Sequence, residues 1–249
     1  MDQQLQRDFH RDADHKRFVN RTENPYIRRK EIALLGRLAA AASAPPAGIL
    51  EIGCGEGSNL YFLRRLFPAA RVVGLDFSPA KTAYAGRAAA GAWGVCGQAQ
   101  ALPFADACFD LVLMRDLLHH LPWARSEALA EGMRVLRPGG ALVVMEGRAE
   151  PVLNRLWRAL NPAEKGMADN TPRFLHDLAA RFGPARLDYV EAGFLLRALA
   201  YFLGPPRGAA RPALDLLYQA VAAYERLLTR WLPRRRWTYL MLTIVKAGA

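Results

Sequence analysis

The sequence has 249 residues, of which 52% are hydrophobic and 23% are charged, and this composition excludes a chain that is disordered throughout. No apolar run reaches the roughly 20 residues of a membrane-spanning helix, and the charged N-terminal segment lacks the apolar stretch of a secretory signal. We therefore expect a cytoplasmic protein, while the net charge of +11 leaves open an anionic partner beside the simpler interpretation of a basic, solvated surface.

The first part of the chain is predicted to pass from helices into alternating strands and helices. Polar-rich helices are predicted over 1–45, with a break at Asn24–Pro25. Short apolar strands with helices between them are then predicted at 48–52, 71–76, 94–96, 109–114 and 141–146. This alternation is typical of a parallel sheet that helices cover on both faces.

The pattern changes after residue 146. Residues 151–183 are predicted to be mainly helical, and an apolar strand is predicted over 194–203. A long amphipathic helix follows, and an apolar strand over 237–245 closes the chain. The aromatic residues of this region either pack against the sheet or line an apolar pocket, and they are Tyr201, Phe202, Tyr218, Tyr224 and Trp231.

The most informative segment is 49–57, where a glycine-rich turn follows a predicted strand and precedes a predicted helix. Glycine occupies every second position from 53 to 57, which permits positive φ and a close approach of a ligand to the backbone. The spacing differs from the G-x-G-x-x-G of dinucleotide sites, and the carboxylates of Glu51 and Glu56 would repel a diphosphate. An acidic turn suits a ligand with an ammonium and a sulfonium group, namely S-adenosylmethionine.

On these residues the sequence resembles the class I S-adenosylmethionine-dependent methyltransferases of the small-molecule type, which act on quinones, lipids and secondary metabolites. Further matching segments follow in the family's order, namely Asp76 at the end of the second strand, 97–110 and 134–141. The resemblance implies a Rossmann-like, doubly wound α/β fold with a mostly parallel seven-stranded sheet, helices on both faces, N-terminal helices and a helical C-terminal lid. It divides the chain into an N-terminal helical cap (1–45), an S-adenosylmethionine-binding core (46–150) and a C-terminal part of the same domain (151–249) with the lid helices and last two strands.

The resemblance also implies S-adenosylmethionine as cofactor and S-adenosylhomocysteine as product. Asp76 would bind the ribose hydroxyls and Phe77 would cover the adenine, whereas Gln98 stands where the family usually has an aspartate that accepts from the adenine amino group. A glutamine carbonyl can still accept that bond. The other expected cofactor contacts are Glu51, Gly53, Cys54, Gly55, Ala99 and Arg115. No metal is expected, because the three cysteines show no ligand spacing.

Candidates for the chemistry lie in the segment 114–122, just past the fourth strand. It resembles the corresponding stretch of phosphoethanolamine methyltransferases, which implies that Asp116 faces the substrate and that His120 acts as a base or orients one, with Tyr26 as its partner. A merely structural role of His119 and His120 at a helix start stays open. Glu146, at the end of the fifth strand, either faces the substrate or satisfies backbone groups.

The acceptor is expected to be a small molecule, anionic or apolar, that presents an O, N or C nucleophile. The [Asn/Asp]-Pro-Pro-aromatic motif of nucleic-acid amino methylation is missing after the fourth strand, which argues against nucleic acid. Basic residues near the expected entrance would suit a carboxylate or phosphate, and these are Arg21, Arg28, Arg29 and Lys30.

Two alternatives stay open from the sequence. In the first alternative, the chain is a cofactor-binding partner protein without turnover. In the second, it is a lipid methyltransferase at a membrane surface. The second would use the apolar segment 194–203 together with Arg230 and the basic turn 234–236. A dehydrogenase is disfavoured by Glu51, and the sequence leaves the oligomeric state open.

Overall fold

The computed structural model describes residues 3–42, 44–193 and 195–248. Within these residues seven strands form one sheet in the order β3-β2-β1-β4-β5-β7-β6, in which β7 runs antiparallel to both neighbours and the other pairs are parallel. The strands are β1 (Gly48–Ile52), β2 (Arg71–Asp76), β3 (Ala92–Cys96), β4 (Phe109–Arg115), β5 (Leu136–Gly147), β6 (Ala185–Val190) and β7 (Tyr239–Val245). The predicted mostly parallel, seven-stranded fold is confirmed.

The helices precede, connect and follow these strands. They are α1 (Gln3–Phe9), α2 (His15–Thr22), α3 (Pro25–Ala39), α4 (Ser58–Leu66), α5 (Pro79–Ala88), α6 (Arg125–Val135), α7 (Val152–Leu160), α8 (Pro172–Ala180), α9 (Leu195–Leu203) and α10 (Arg211–Trp231). Short 3-10 turns lie at Leu118–His120, Pro162–Asp169, Gly208–Ala210 and Arg234–Arg236. Among the described residues no helix combines the length and the apolar composition that crossing a membrane requires.

The start of α3, α5 and α8 is fixed locally by a polar cap followed by proline. The side chains of Asn24, Ser78 and Thr171 each accept a backbone N–H of the first helical turn, and a proline stands next in the chain. Proline suits this position because its missing N–H would have no partner there and its φ already fits a helix. These three helix starts can therefore be predicted from the sequence.

The sheet is buried on both faces, and its strands alternate between two hydrophobic clusters. In β1 and β4, Ile49 and Leu111 pack in the cluster with α3 and α4, whereas Leu50 and Val112 pack in the cluster with α6 and α8. A side chain that points to one face is followed by one that points to the other, so a doubly covered sheet needs continuous apolar runs. This arrangement leaves the carboxyl ends of the parallel strands free to form a site.

Two sequence predictions for the C-terminal part are wrong. Residues 195–203 form α9 and not a strand, and Phe194 lies outside the described residues. The segment consists of leucine, alanine, arginine and aromatic residues without a β-branched side chain, and its buried positions, Leu196 and Ala200, have helical spacing. The aromatic residues of α10 do not pack on the sheet either, because α10 lies against α3 and α9 through Tyr218.

Candidate functional site

A cavity of about 480 Å³ opens at the carboxyl ends of the parallel strands. Residues at or just after the ends of β1, β2, β3 and β4 form its floor, and residues of α1, α2, α7 and α9 form its walls. It lies where the strand order reverses between β1 and β4, which is the place where open α/β sheets bind their ligands.

The glycine-rich turn after β1 forms one wall and needs its glycines. Gly53 has a φ of 77°, and its backbone N–H donates to the carbonyl oxygen of Leu75 over 2.7 Å. Gly57 has a φ of 79°, and a Cβ atom there would lie 2.7 Å from the Cβ of Ala85 in α5. Side chains at these positions would strain the backbone and separate the turn from α5. The turn is thereby held against the end of β2.

Glu51 is a buried carboxyl group with an incomplete set of partners. Asn59 donates to its Oε1 atom over 2.5 Å, and its Oε2 atom has no hydrogen-bond partner among the described residues. Burial raises the pKa of Glu51 to about 7. A buried carboxylate oxygen at a cavity is stabilised by a ligand that brings a cationic donor, and an ammonium group is such a donor.

Asp76 faces the same cavity from the end of β2. Its two carboxylate oxygens accept the backbone N–H groups of Ser78, over 3.0 Å, and of Gly55, over 2.9 Å. Burial raises the pKa of Asp76. Each oxygen keeps a lone pair, so the group can accept two more hydrogen bonds from vicinal hydroxyl groups. These donor and acceptor positions fit S-adenosylmethionine.

Nine residues predicted to contact the cofactor line this one cavity, and they are Glu51, Gly53, Cys54, Gly55, Asp76, Phe77, Gln98, Ala99 and Arg115. The predicted Asp116 and His120 line it as well. Segments that lie far apart in the chain are thus brought together as expected. Of the basic residues predicted at the entrance, Arg21 lines the cavity, whereas Lys30 donates to the Glu225 carboxylate over 2.6 Å.

Behind the cavity lies an ion cluster that the sequence analysis missed. The Glu31 carboxylate accepts from the guanidinium groups of Arg115 (2.5 Å), Arg197 (2.8 Å) and Arg21 (3.2 Å). Burial alone would raise the pKa of Glu31, but the three guanidinium groups outweigh it and hold that pKa well below its usual range. The signal in the sequence is a glutamate on the apolar face of α3, three, four and seven residues before the buried leucines at 34, 35 and 38.

Arg197 joins this ion cluster from α9. Its guanidinium also donates to Glu191, and its Nη2 atom has no hydrogen-bond partner among the described residues. Arg197 lines the cavity together with Tyr239, and burial raises the pKa of the Tyr239 hydroxyl. The segment that carries Arg197 was predicted to be a strand, and the sequence analysis gave Arg197 no role.

Asp116 follows β4 in a backbone conformation that favours glycine, with a φ of 53°. Its backbone N–H donates to the Met145 carbonyl over 2.9 Å, which anchors the turn to β5. The side chain is 39% exposed, but this exposure is to the cavity, and the surrounding protein raises the pKa of the carboxyl group. The backbone turn thus aims a carboxyl group into the cavity.

His119 is held as a cation between two carboxylates. Its Nδ1 atom lies 2.5 Å from Glu146 Oε2 and its Nε2 atom lies 3.1 Å from Glu164 Oε2. Burial opposes protonation, but the two carboxylates raise the pKa of His119 to about 10. Glu146 also accepts the backbone N–H groups of Leu117 and Leu118. The structure therefore assigns Glu146 to positioning the segment after β4, which is the second of its two interpretations.

His120 differs sharply from its neighbour in its electrostatic surroundings. Its ring lies 3.9 Å from that of His119 and 4.4 Å from that of His10, measured between centroids. Burial and the charge on His119 lower the pKa of His120 well below its usual value. The side chains of His119, His120 and Glu164 place ligand atoms within 4.8 Å of one another, a spacing that would also suit a metal ion.

The predicted partnership of Tyr26 with His120 is wrong. Tyr26 does not belong to the cavity lining, and its hydroxyl donates to Asp215 over 3.2 Å. Its ring stacks on Tyr218 with 5.3 Å between centroids. Tyr26 packs beside Tyr218 where α3 contacts α10, and this contact directs its ring away from the cavity. Of the predicted aromatic residues, Tyr201 and Phe202 of α9 line the cavity instead.

Comparison with known proteins gives consistent results. Residues 50–144 match the family described as a methyltransferase domain. The chain is 32% identical over 198 residues to a fatty-acid O-methyltransferase of Mycolicibacterium smegmatis, which covers 68% of this chain and 72% of that protein. It is 38% identical over 183 residues to a phthiotriol/phenolphthiotriol dimycocerosates methyltransferase of Mycobacterium tuberculosis, over 67% of each chain.

Solved structures with this fold include a phosphoethanolamine N-methyltransferase 2 of Haemonchus contortus in complex with S-adenosyl-L-methionine. That structure has a TM-score of 0.61 at 17% identity and covers 88% of this chain and 53% of its own. A plantazolicin methyltransferase in complex with S-adenosylhomocysteine has a TM-score of 0.59 at 14% identity over 98% of both chains. At these identities the similarity is one of fold.

Proposed function

The chain belongs to the S-adenosylmethionine-dependent methyltransferases, and from this premise we propose that it methylates a carboxylate oxygen of an apolar, fatty-acid-like lipid. It is an enzyme whose cofactor is S-adenosylmethionine and whose acceptor is a small molecule. The observation that carries the finer proposal is Arg197, a half-buried residue at a cavity with aromatic walls, whose Nη2 atom has no hydrogen-bond partner among the described residues.

We assign the predicted cofactor residues to different parts of S-adenosylmethionine. Glu51 accepts a hydrogen bond from the ammonium group of the methionine moiety through its unpartnered Oε2 atom. Arg21, which lies 3.5 Å from Asn59 Oδ1, binds the carboxylate of that moiety. Asp76 accepts the ribose hydroxyls, and the adenine lies among Phe77, Gln98 and Ala99. Gly53, Cys54 and Gly55 contribute backbone contacts, while Arg115 holds Asn59 in place over 3.0 Å.

The acceptor part of the cavity combines a cation with apolar surface. Arg197 offers a planar guanidinium, a donor geometry that suits a carboxylate. The aromatic side chains of Trp157, Tyr201 and Phe202 line the same cavity and provide contacts for an alkyl chain. The similarity to a fatty-acid O-methyltransferase supports the same acceptor class. A lipid with a carboxylate end satisfies both features.

The imidazole groups at the cavity also favour a nucleophile that is already ionised. Burial lowers the pKa of His10 to about 3 and places that of His120 well below 6.5, whereas two carboxylates raise the pKa of His119 to about 10. A general base works best with a pKa near the working pH, so none of these three groups is matched to deprotonating an alcohol or an ammonium group. We therefore assign His120 to a neutral contact with the acceptor.

The chemistry then requires positioning more than proton transfer. Bound S-adenosylmethionine supplies a methyl group on sulfur, so that the O–CH₃ bond forms as the S–CH₃ bond breaks, S-adenosylhomocysteine leaves with the electron pair, and no proton is moved. Arg197 holds the carboxylate, and the aromatic walls contact the alkyl chain. The Asp116 carboxylate lies 3.9 Å from the Arg115 guanidinium at the end of β4 and faces the cavity. His119, Glu146 and Glu164 keep the segment after β4 in place.

A panel of acceptors with the same chain and different ends tests this proposal. Hexadecanoate, hexadecanol and hexadecylamine are offered with S-adenosylmethionine, and methylated products are quantified by mass spectrometry. We expect the acid to react with a kcat/KM about 10²–10⁴-fold above that of the alcohol, because none of the three imidazole groups is matched to deprotonating the alcohol. Faster methylation of the alcohol or the amine than of the acid would contradict the assignment of the acceptor group.

A conservative variant of Arg197 separates recognition from folding. Arg197→Lys keeps the charge beside Glu31 and Glu191 but loses the planar donor pair, so KM for the acid is expected to rise about tenfold or more while the affinity for S-adenosylhomocysteine is unchanged. Arg173→Lys is the matched control, because that side chain is 92% exposed on α8. An unchanged KM in Arg197→Lys would remove this residue from acceptor binding.

Cofactor affinity is expected to depend on pH through Glu51. Because burial raises the pKa of Glu51 to about 7, the free protein holds part of this carboxyl protonated at neutral pH, and the proton must leave before an ammonium group binds. The dissociation constant for S-adenosylhomocysteine should therefore rise as the pH falls below 7, by about tenfold per unit, and level off above 7.

Calorimetric titration at a series of pH values measures this dependence. Glu51→Gln is expected to bind more weakly and without a pH slope in this range, whereas Glu127→Gln, on the exposed side of α6, should keep the slope. The same slope in Glu51→Gln as in the wild type would assign the titration to another group.

A further inference from the structure

The outward face of α10 is apolar along its whole length, although it has no partner among the described residues. We call this face the outer stripe, and it consists of Ala213, Leu216, Ala220, Tyr224, Leu227 and Trp231. The spacing of three or four residues places these side chains on one side of the helix over roughly 27 Å. Leu216, Leu227 and Trp231 are 70%, 55% and 73% exposed.

The opposite face of α10 already accounts for its packing. Tyr218 is fully buried against Ile27, Leu196 and Ala200, and its hydroxyl donates to the Gly204 carbonyl over 2.5 Å. The outer stripe is therefore not needed to attach α10 to the protein. Leucine and tryptophan on a solvent-facing helix side cost solubility, so a stripe of this length indicates a surface that something covers.

The charges around the outer stripe have one sign. The segment 211–236 contains six arginines and two carboxylates. Asp215 accepts from the Tyr26 hydroxyl, and Glu225 is buried with the Lys30 ammonium 2.6 Å away. Helical geometry places Arg226 and Arg230 along one border of the stripe, and the exposed basic turn Arg234–Arg236 follows its end. The exposed side of α10 thus presents arginines without competing carboxylates.

This charge pattern indicates which kind of partner covers the outer stripe. A second copy of the chain would bring arginines against arginines, whether the two helices ran parallel or antiparallel, and would supply no exposed carboxylate from its own α10. We propose that the outer stripe docks on an anionic lipid surface, with leucine, tyrosine and tryptophan side chains in the interface and Arg226, Arg230 and the basic turn among the anionic head groups. Amphipathic helices with this composition lie in the plane of the membrane interface.

The position of α10 connects this docking with catalysis, and this connection rests on the proposed lipid acceptor. α10 packs beside α9, and Tyr201 and Phe202 of α9 line the cavity. Phe202 is also largely exposed, so it connects the cavity with the outside beside α10. A protein docked through α10 would hold the cavity next to the bilayer, from which an acceptor with an alkyl chain reaches it without crossing water.

Vesicle flotation without any methyl donor tests the docking independently of turnover. We expect the wild-type protein to bind vesicles of phosphatidylcholine with about 30% phosphatidylglycerol at least about tenfold better than pure phosphatidylcholine, and to bind less as salt rises. The variant Leu216→Gln/Leu227→Gln/Trp231→Gln should lose this binding by about tenfold or more, since its apolar contacts are gone. The variant Arg226→Gln/Arg230→Gln should lose much of the preference for the anionic lipid.

Trp93→Gln is the matched control, because Trp93 is 62% exposed on β3 at the far edge of the sheet, and it should bind vesicles like the wild type. Wild-type protein that does not float with anionic vesicles, or a triple variant that floats as well as the wild type, overturns the proposal. A wild-type dimer that the triple variant converts to a monomer would overturn it in favour of a second copy. Full vesicle binding by a protein that methylates no lipid would count against the acceptor and leave the docking supported.

Discussion

Replacement of Glu31 by glutamine is expected to lower the free energy of unfolding by about 3–5 kcal/mol, which is the effect of removing one partner from a buried ion pair. The Glu31 side chain is fully buried and accepts from the guanidinium groups of Arg115, Arg197 and Arg21. Glutamine preserves the shape but removes the charge, so guanidinium groups are left in the interior with too little negative charge. Denaturant titration at pH 7 measures the difference.

The pH dependence of this effect has a definite sign. The three guanidinium groups hold the pKa of Glu31 well below 4.5, so its contribution is fully present above 4.5 and is lost as the pH falls through the lower folded-state value. The difference in the free energy of unfolding between the wild type and Glu31→Gln should therefore become smaller as the pH falls below 4.5. Glu127→Gln, at an exposed position of α6, serves as control. If the free energy of unfolding falls no further in Glu31→Gln than in this control, then solvent or neighbouring groups replace the carboxylate without cost.

Replacement of Asp76 by asparagine is expected to raise the dissociation constant for S-adenosylhomocysteine about 100-fold or more. Its two oxygens accept the backbone N–H groups of Ser78 and Gly55, and in our proposal each also accepts a ribose hydroxyl. Hydrogen bonds to a charged group contribute about 1.5–3 kcal/mol each, and loss of one to two of them corresponds to this change in affinity. Asparagine keeps the size and one acceptor, so the glycine turn is expected to stay folded.

Calorimetric titration of Asp76→Asn with S-adenosylhomocysteine measures this change. Asp177→Asn, an exposed carboxylate on α8, should bind like the wild type. Circular dichroism and thermal unfolding establish that the variant has folded. A folded Asp76→Asn with wild-type affinity would place the ribose elsewhere in the cavity.

The membership of this chain in a methyltransferase family could be predicted from local features of the sequence. The turn from Gly53 to Gly57 requires glycine because its backbone has positive φ and because α5 packs against it. A polar cap followed by proline fixes the start of α3, α5 and α8. β1 is followed by Gly53 and β2 ends at Asp76, and the carboxyl ends of parallel strands meet at one edge of the sheet, which is why the predicted cofactor residues lie in one cavity.

The residues that enter the cavity from outside the core could not be predicted in the same way. Arg197 reaches Glu31 across 166 residues of sequence, and Arg115 reaches it across 84. Whether a glutamate on an apolar helix face is solvated or neutralised depends on which side chains arrive opposite it, and no local pattern determines that. Tyr26 illustrates the converse, since α3 packs against α10 and the Tyr26 hydroxyl donates to Asp215 there, outside the cavity.

Ionisation, too, is decided by tertiary contacts. His119 and His120 are neighbours with the same usual pKa, yet two carboxylates hold the first as a cation, and burial beside that cation keeps the second neutral. The sequence by itself determined the sheet, the glycine turn and the cofactor class, because these depend on backbone geometry and on apolar periodicity over a few residues. Only the tertiary structure decided which groups are charged, which face the acceptor and which helix face stays uncovered, because burial and charge in three dimensions set those free energies.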